Sequence, residues 1–224
     1  FRYKLQGSKA IIAHNNHVFT LTNTGEHDHE NKQWVNHFLR EDQPTLHHPH
    51  PYVQEAIKNT QGLRVLRQDP WDCLVAFIIS QNNHQKRIQQ NVLDISTYGQ
   101  PLTKGFHAFP KPHELPGEEE LRQLGLGYRA KHVAALKKID LDWLHNLKTL
   151  SYKEAKQELQ TLSGVGPKVA DCVLLFSLDF EQACPEDTWI KKIFAEHDLT
   201  REDLGEQAGL IQQSLFHYTR SKKL

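Results

Sequence analysis

The stretch that decides the fold of this 224-residue chain is residues 162–172, which read Leu162-Ser163-Gly164-Val165-Gly166-Pro167-Lys168-Val169-Ala170-Asp171-Cys172. Two glycines two residues apart favour a tight turn that another molecule can approach closely. Pro167 then stands where a first helical residue belongs, since its φ is already set and it has no N–H to lose. The apolar residues that follow recur at helical spacing, at Val169, Cys172, Val173 and Phe176. The stretch therefore predicts a glycine turn that opens an amphipathic helix.

Lys168 lies in the first turn of that predicted helix. The free N–H groups and the positive end of the helix dipole at this point suit a phosphate. The dipole and desolvation would both favour an uncharged lysine, which is the nucleophilic form. A surface lysine on a helix–hairpin–helix that only packs explains the turn equally well, because short glycine motifs have many false matches.

A second stretch, Cys184-Pro185-Glu186-Asp187-Thr188-Trp189, supplies an acid. Asp187 lies 19 residues after Lys168, and an acid opening the next helix could return to face the lysine across the hairpin. This pair behind Gly-Val-Gly resembles the helix–hairpin–helix DNA glycosylases, the superfamily that includes endonuclease III. The sequence "GVGPKVADC … CPEDTW" is most similar to that of the 8-oxoguanine DNA glycosylases.

The resemblance implies a mainly α fold, the helix–hairpin–helix DNA glycosylase fold, with a small, shortened N-terminal β-containing domain. It covers residues 60–220 well and residues 1–45 weakly. β-Rich runs at 10–13 and 17–21 predict strands, and the Pro/His segment 44–51 is the linker candidate. We expect a small domain over residues 1–45 and a helical glycosylase domain over 46–224. The chain starts at Phe1 and contains no methionine, which indicates a trimmed or partial chain.

The resemblance also implies a reaction. Lys168 would attack C1′ of a flipped nucleotide, and Asp187 would stabilise the positive charge that develops on the sugar. The resulting Schiff base would undergo β-elimination, so the enzyme would be both an 8-oxoguanine glycosylase and an AP lyase. The family needs no organic cofactor or catalytic metal, although a structural cation can sit on backbone carbonyls near Leu162 and Val165. Two alternatives stay open: a glycosylase for another damaged base or chiefly for abasic sites, and a non-catalytic DNA-binding module.

The resemblance implies that three side chains contact the DNA around the flipped base and that two glycines contact its backbone. Asn82 and Arg87, in "SQNNHQKRI", resemble the family residues that fill the vacated space and read the unpaired cytosine. A helix cap and a solvated arginine are the ordinary alternative. Tyr128, in "LGLGYRAKH", resembles an aromatic wedge, whereas a core anchor would look the same in sequence. Gly164 and Gly166 would hold the DNA backbone.

The base pocket is implied to involve two stretches of the chain. Gln212 and Phe216, four residues apart on the last predicted helix, resemble the pair that hydrogen-bonds and stacks on the damaged purine. Cys172 resembles the cysteine that packs on the purine face, and plain helix packing is its alternative. Asp171 could form a salt bridge with Lys168, but the resemblance makes Asp171 structural. Trp189 departs from the family pattern, because animal members have a histidine there.

The overall composition is compatible with DNA binding but does not by itself indicate it. The 27 basic and 27 acidic residues cancel, yet residues 121–173 carry nine Lys/Arg against five Asp/Glu, and residues 181–206 carry three against eight. A local basic face suits gripping a few phosphates. We expect a monomer that binds double-stranded DNA containing 8-oxoguanine or abasic sites, and no membrane. The three scattered cysteines suit a reducing, intracellular compartment, whether bacterial cytoplasm or nucleus.

Overall fold

The computed structural model describes residues 2–6, 9–14, 17–22, 36–103 and 106–222. Their α-helices are α1 (Pro51–Asn59), α2 (Pro70–Ser80), α3 (Gln85–Ser96), α4 (Glu118–Gln123), α5 (Ala130–Ala135), α6 (Leu141–Asn146), α7 (Tyr152–Gln160), α8 (Pro167–Ser177), α9 (Thr188–His197) and α10 (Ala208–Ser221). Short 3-10 helices cover Pro112–Glu114, Gly127–Arg129, Leu136–Lys138, Leu147–Thr149 and Glu202–Gln207. The mainly helical fold expected from the sequence is confirmed.

The strands lie near the start of the chain and in one later hairpin. They are β1 (Arg2–Gln6), β2 (Lys9–His14), β3 (His17–Thr22), β4 (Pro101–Thr103) and β5 (Phe106–His107). β1, β2 and β3 form an antiparallel meander, and β4 pairs with β5. The β-rich runs at 10–13 and 17–21 thus fall in β2 and β3, as predicted. The division at residue 45 stays a prediction, and residues 23–35 lie outside the described part of the chain.

Packing of the backbone defines two compact units. The first contains Phe1–Asn36, Gln68–Asn146 and Leu162–Gly164, and the second contains His37–Arg67, Leu147–Thr161 and Val165–Leu224. Each unit draws segments from distant parts of the chain, so each core is completed only when those segments meet. No helix among the described residues is long and apolar enough to cross a membrane.

The first unit is built around α2, whose start is predicted by the run Asp69-Pro70-Trp71-Asp72: an Asp cap, a Pro at the first helical position and an acid in the first turn. The carboxylate of Asp69 accepts hydrogen bonds from the backbone N–H groups of Trp71 (2.9 Å) and Asp72 (3.1 Å), and Pro70 occupies the first helical position. These bonds satisfy donors that the first turn leaves without a helical partner. The buried side chains of α2 come from all sides of the helix: Trp71, Cys73, Leu74, Val75, Ile78 and Ile79. The polar residues 80–84 therefore begin where a core helix ends.

The second unit contains the hairpin formed by α7 and α8. The two helices pack on each other, and a buried polar cluster joins them. Asp171 on α8 is 4% exposed; it accepts from Tyr152 Oη at 2.6 Å and from Lys156 Nζ at 2.8 Å, both on α7. Because a buried carboxylate without a partner is strongly destabilising, this cluster fixes how α8 lies on α7. In the same unit, α10 packs on α1.

Candidate active site and DNA interface

Lys168 is the second residue of α8, and its side chain is exposed. Burial within the protein therefore does not supply the desolvation that the sequence suggested. The positive charge of the lysine acts on the thiol of Cys172, one helical turn further along α8. Asp171 does not pair with Lys168, as the sequence left possible, because it points into the α7–α8 packing and bonds Lys156 instead. The amine of Lys168 consequently stands at the open N-terminal end of α8.

Asp187 is the N-cap residue of α9. Its Oδ1 accepts from the backbone N–H of Ile190 at 2.9 Å, so the extended backbone after Pro185 delivers the carboxylate to the first turn of the helix. The side chain is half-buried. Its negative charge acts on the Cys172 thiol, as does the positive charge of Lys168. The structure thus brings Lys168, Cys172 and Asp187 into electrostatic reach of one another.

Cys172 is the buried member of this cluster, with 2% of its surface exposed. Burial raises the pKa of Cys172 to about 12, against a smaller lowering by Lys168. The thiol therefore stays protonated near neutral pH and acts as a small apolar surface with a weak donor, not as a nucleophile. It belongs to the packing stripe of α8 and also lines the Lys168 end of the helix.

The predicted base-recognition pair lies on α10. Gln212 is 2% exposed, and its Oε1 accepts from Gln213 Nε2 at 2.7 Å. Phe216 is half-buried and packs against the core cluster of the second unit, which includes Cys184, Ile190 and Ile211. The guanidinium of Arg220 lies 5.4 Å from the centre of its ring. Phe216 therefore keeps part of its ring accessible, while the Gln212 amide is held in place by its neighbour.

Asn82 and Arg87 lie at the loop between α2 and α3 and on α3 itself. Asn82 is exposed and adopts a φ of 45°, a left-handed conformation that asparagine tolerates better than most residues. Arg87 Nη2 donates to the carbonyl of Gly125 at 2.6 Å, so its exposed guanidinium is directed towards the turn before Tyr128. Both residues belong to the first unit.

Tyr128 is 47% exposed, which contradicts the core-anchor alternative. The neighbouring Arg129, which the sequence analysis did not single out, is 6% exposed. Its guanidinium donates to the carbonyls of Gln81 (2.7 Å from Nε), Asn82 (2.6 Å from Nη2) and Leu126 (3.2 Å from Nη1). Arg129 thus fixes the backbone that presents Asn82. Its position in "LGLGYRAKH" is visible in sequence, but nothing there distinguishes a buried arginine from a solvated one.

The two hairpin glycines differ in what they require. Gly164 has a φ of +82°, and a Cβ there would lie 2.6 Å from the His132 ring. Gly166 has an ordinary φ of −88°, and among the described residues no atom lies within 4 Å of a Cβ built on it. The fold therefore needs glycine at 164, whereas Gly166 leaves open space at the start of α8.

The described residues hold no cluster of side chains typical of a metal site. In the parts of the chain that the structure describes, no three His, Cys, Asp or Glu side chains gather as metal ligands would. The cation expected on carbonyls near Leu162 and Val165 stays a prediction. The carbonyl between them, that of Gly164, already accepts from Gln81 Nε2 at 2.9 Å.

A helix–hairpin–helix with a lysine opening its second helix and an aspartate capping the next defines the class of helix–hairpin–helix DNA glycosylases. Comparison with known proteins narrows this class. The family model for the 8-oxoguanine DNA glycosylase N-terminal domain matches residues 3–74. The chain is 31% identical over 210 residues to a protein of Methanothermobacter thermautotrophicus named "Probable N-glycosylase/DNA lyase", covering 75% of this chain and 67% of that one. The chain belongs to the 8-oxoguanine DNA glycosylase family.

Two further relatives agree with this assignment. The N-glycosylase/DNA lyase OGG1 of Arabidopsis thaliana is 40% identical over 156 residues, covering 64% of this chain but only 43% of its own length. The 8-oxoguanine glycosylase/lyase of Clostridium acetobutylicum has a crystal structure in complex with double-stranded DNA containing cytosine opposite 8-oxoguanine. It matches with a TM-score of 0.83 and 26% identity, over 100% of this chain and 89% of that one.

Proposed function

We propose that this protein is a DNA glycosylase with AP lyase activity that excises 8-oxoguanine opposite cytosine from double-stranded DNA. The observation that carries the proposal is the cluster of Lys168, Cys172 and Asp187 at the first turns of α8 and α9, in a chain of this family. The DNA in the Clostridium complex supports the choice of substrate.

The chemistry begins at the amine of Lys168. Its lone pair attacks C1′ of a flipped nucleotide while the glycosidic bond breaks, and the bonding electrons leave with the base, which takes up a proton. The attached nitrogen gives one proton to the departing base. Its lone pair then breaks the C1′–O4′ bond while O4′ takes up a proton from water, which leaves a protonated Schiff base that still carries one N–H. Removal of a C2′ proton expels the 3′ phosphate by β-elimination. Because Lys168 is exposed in the free protein, the bound DNA must exclude water from it.

Asp187 acts on the sugar charge. Breaking the glycosidic bond leaves an oxocarbenium-like centre, and a fixed carboxylate next to it stabilises the transition state more than the ground state. The cap bond to Ile190 holds Oδ1 at 2.9 Å, so the carboxylate is oriented before the substrate binds. The amine is the nucleophile itself, so this reaction requires neither an organic cofactor nor a catalytic metal, and we propose that a monomer performs it.

The damaged base is recognised by shape and by hydrogen bonds. Extruding a base from the duplex requires a pocket that compensates for lost stacking. Phe216 supplies an aromatic face, the neutral thiol of Cys172 a small packing surface, and the buried amide of Gln212 a hydrogen-bonding edge. An aromatic face, a small packing surface and a hydrogen-bonding edge together suit a flat purine.

The DNA on either side of the extruded base needs separate contacts. Asn82 and Arg87 are exposed and presented by an ordered backbone, which suits filling the gap and hydrogen-bonding the unpaired cytosine. Tyr128, 47% exposed, suits a wedge that enters the stack. The open space at Gly166 lets a phosphate approach the N-terminus of α8.

Lys168→Gln tests the proposal directly. The variant should fold and bind the damaged duplex, yet give no covalent adduct when borohydride is added to an 8-oxoguanine:cytosine duplex, because no imine can form. Lys153→Gln is the matched control, since Lys153 is an exposed lysine at the second position of α7. A normal adduct yield from Lys168→Gln would remove Lys168 from the mechanism. A non-catalytic DNA-binding module would give no adduct with the unaltered protein.

A further inference from the structure

Gln81 links two parts of the DNA interface within the first unit. It follows α2 directly and is half-buried. Its side-chain Nε2 donates to the carbonyl of Gly164 in the hairpin turn, at 2.9 Å, and to the carbonyl of Ile78 at the end of α2, at 3.2 Å. One amide group therefore fastens the hairpin turn to the end of the central helix.

The backbone of Gln81 serves the other part of the interface. Its carbonyl accepts from Nε of the buried Arg129 at 2.7 Å, from Nη2 of the same side chain, and from Tyr128 Oη at 3.2 Å. Arg129 also holds the carbonyl of Asn82. A cation at the end of α2 is favoured by the helix dipole, so this arrangement fixes the backbone of both Gln81 and Asn82.

The hairpin turn is held at Gly164 and at the residue before it. The hydroxyl of Ser163 is 2.8 Å from His132 Nδ1, and burial lowers the pKa of His132, which favours the neutral ring. Gln81 holds the carbonyl of Gly164. Because a trans peptide unit directs its C=O and N–H in opposite directions, fixing this carbonyl also fixes the N–H of the same peptide unit, pointing away from Gln81. N–H groups of this turn are the donors that a phosphate would meet.

We propose that Gln81 is a positioning residue that couples the phosphate grip of the hairpin to the loop that reads the opposite base. The inference rests on the proposed function, because it assigns DNA contacts to both parts. The side chain of Gln81 holds the turn, and its main-chain carbonyl is one of the acceptors through which Arg129 holds the loop, so a shift of Gln81 reaches both parts. Gln81 touches neither base nor sugar in this assignment and acts through its neighbours.

Gln81→Leu tests the coupling, since leucine has similar size but cannot donate to Gly164. Two properties are measured: duplex affinity at a fixed salt concentration, and the ratio of single-turnover excision rates opposite cytosine and opposite adenine. We expect duplex affinity about tenfold weaker because one phosphate contact is disturbed, with the salt slope unchanged because no Lys or Arg is removed. The cytosine/adenine ratio should fall by about 3- to 10-fold. Gln54→Leu, at an exposed position of α1, is the matched control.

Two other variants serve as comparisons, because each should change chiefly one of the two measured properties. Gly166→Ala should weaken duplex affinity with little change in the cytosine/adenine ratio, whereas Arg87→Ala should lower that ratio more than it weakens affinity. A change of both properties in Gln81→Leu supports the coupling, and a change of one or neither overturns it. If Gln81→Leu does not fold, Gln81→Asn takes its place, because it keeps the amide but is one methylene too short. Failure of the unaltered protein to excise 8-oxoguanine would refute the proposed function instead.

Discussion

Asp187 offers a test that separates structural from catalytic effects, because it both caps α9 and carries the proposed charge. Asparagine caps a helix about as well as aspartate does, whereas alanine costs about 1 kcal/mol of stability. Asp187→Asn should therefore keep the bond to the Ile190 N–H, which is 2.9 Å long, and remove only the charge. Asp187→Ala should lose both.

The two losses have different sizes. For a chain of this length, loss of the cap lowers the melting temperature by about 2–4 °C, so Asp187→Ala should melt lower while Asp187→Asn should not. An anion beside a developing charge in a water-excluded site contributes a few kcal/mol. Since 1.36 kcal/mol is a factor of ten in rate, Asp187→Asn should slow excision on the order of 10²-fold or more.

The assay is single-turnover excision of 8-oxoguanine opposite cytosine, together with lesion affinity and thermal melting. Asp69→Asn is the matched control, because Asp69 is also the N-cap residue of a helix, α2, and belongs to no proposed site. Affinity should change much less than rate. Equal excision rates for Asp187→Asn and the unaltered protein would leave Asp187 as a cap only, and so would an equal slowing by Asp69→Asn.

Three further predictions follow from other parts of the molecule. Phe216→Ala should reduce 8-oxoguanine excision by roughly 10- to 100-fold, since base stacking is worth about 1–3 kcal/mol. Cleavage of a ready-made abasic site, which has no base to stack, should change only a few-fold. Equal losses of both activities would mean that the base pocket lies elsewhere. Arg87→Ala should lower the ratio of excision opposite cytosine to that opposite adenine, at about 1–3 kcal/mol for a bidentate contact, and an unchanged ratio would leave Arg87 as a surface residue. The hydrogen bonds from Arg67 lower the pKa of Asp42 from 3.8 to about 2. The stability that this ion pair contributes is therefore present above pH 4 and lost as the pH falls through 2. Asp42→Asn should flatten the dependence of melting temperature on pH between these values, and an unaltered dependence would refute the role of the pair.

The sequence by itself determined the features that depend on residues close together in the chain, such as the starts of helices. The Asp69 cap and Pro70 predicted the start of α2, and the Gly-Val-Gly-Pro run predicted the start of α8. Residues a few positions apart decide caps and turns, so these predictions need no knowledge of distant partners. The sequence of the hairpin also resembled that of the 8-oxoguanine DNA glycosylases, and the relatives confirm that family.

Only the tertiary structure decided which polar groups are buried and what they bond. Asp171 lies three residues from Lys168 yet pairs with Lys156, and Arg129 turns inward while its neighbour Tyr128 stays exposed. The link from Gln81 to Gly164 spans 83 residues. Burial and hydrogen bonding depend on segments that meet only after folding, and a buried charge or amide must then find its partners among them. No local pattern can supply that information.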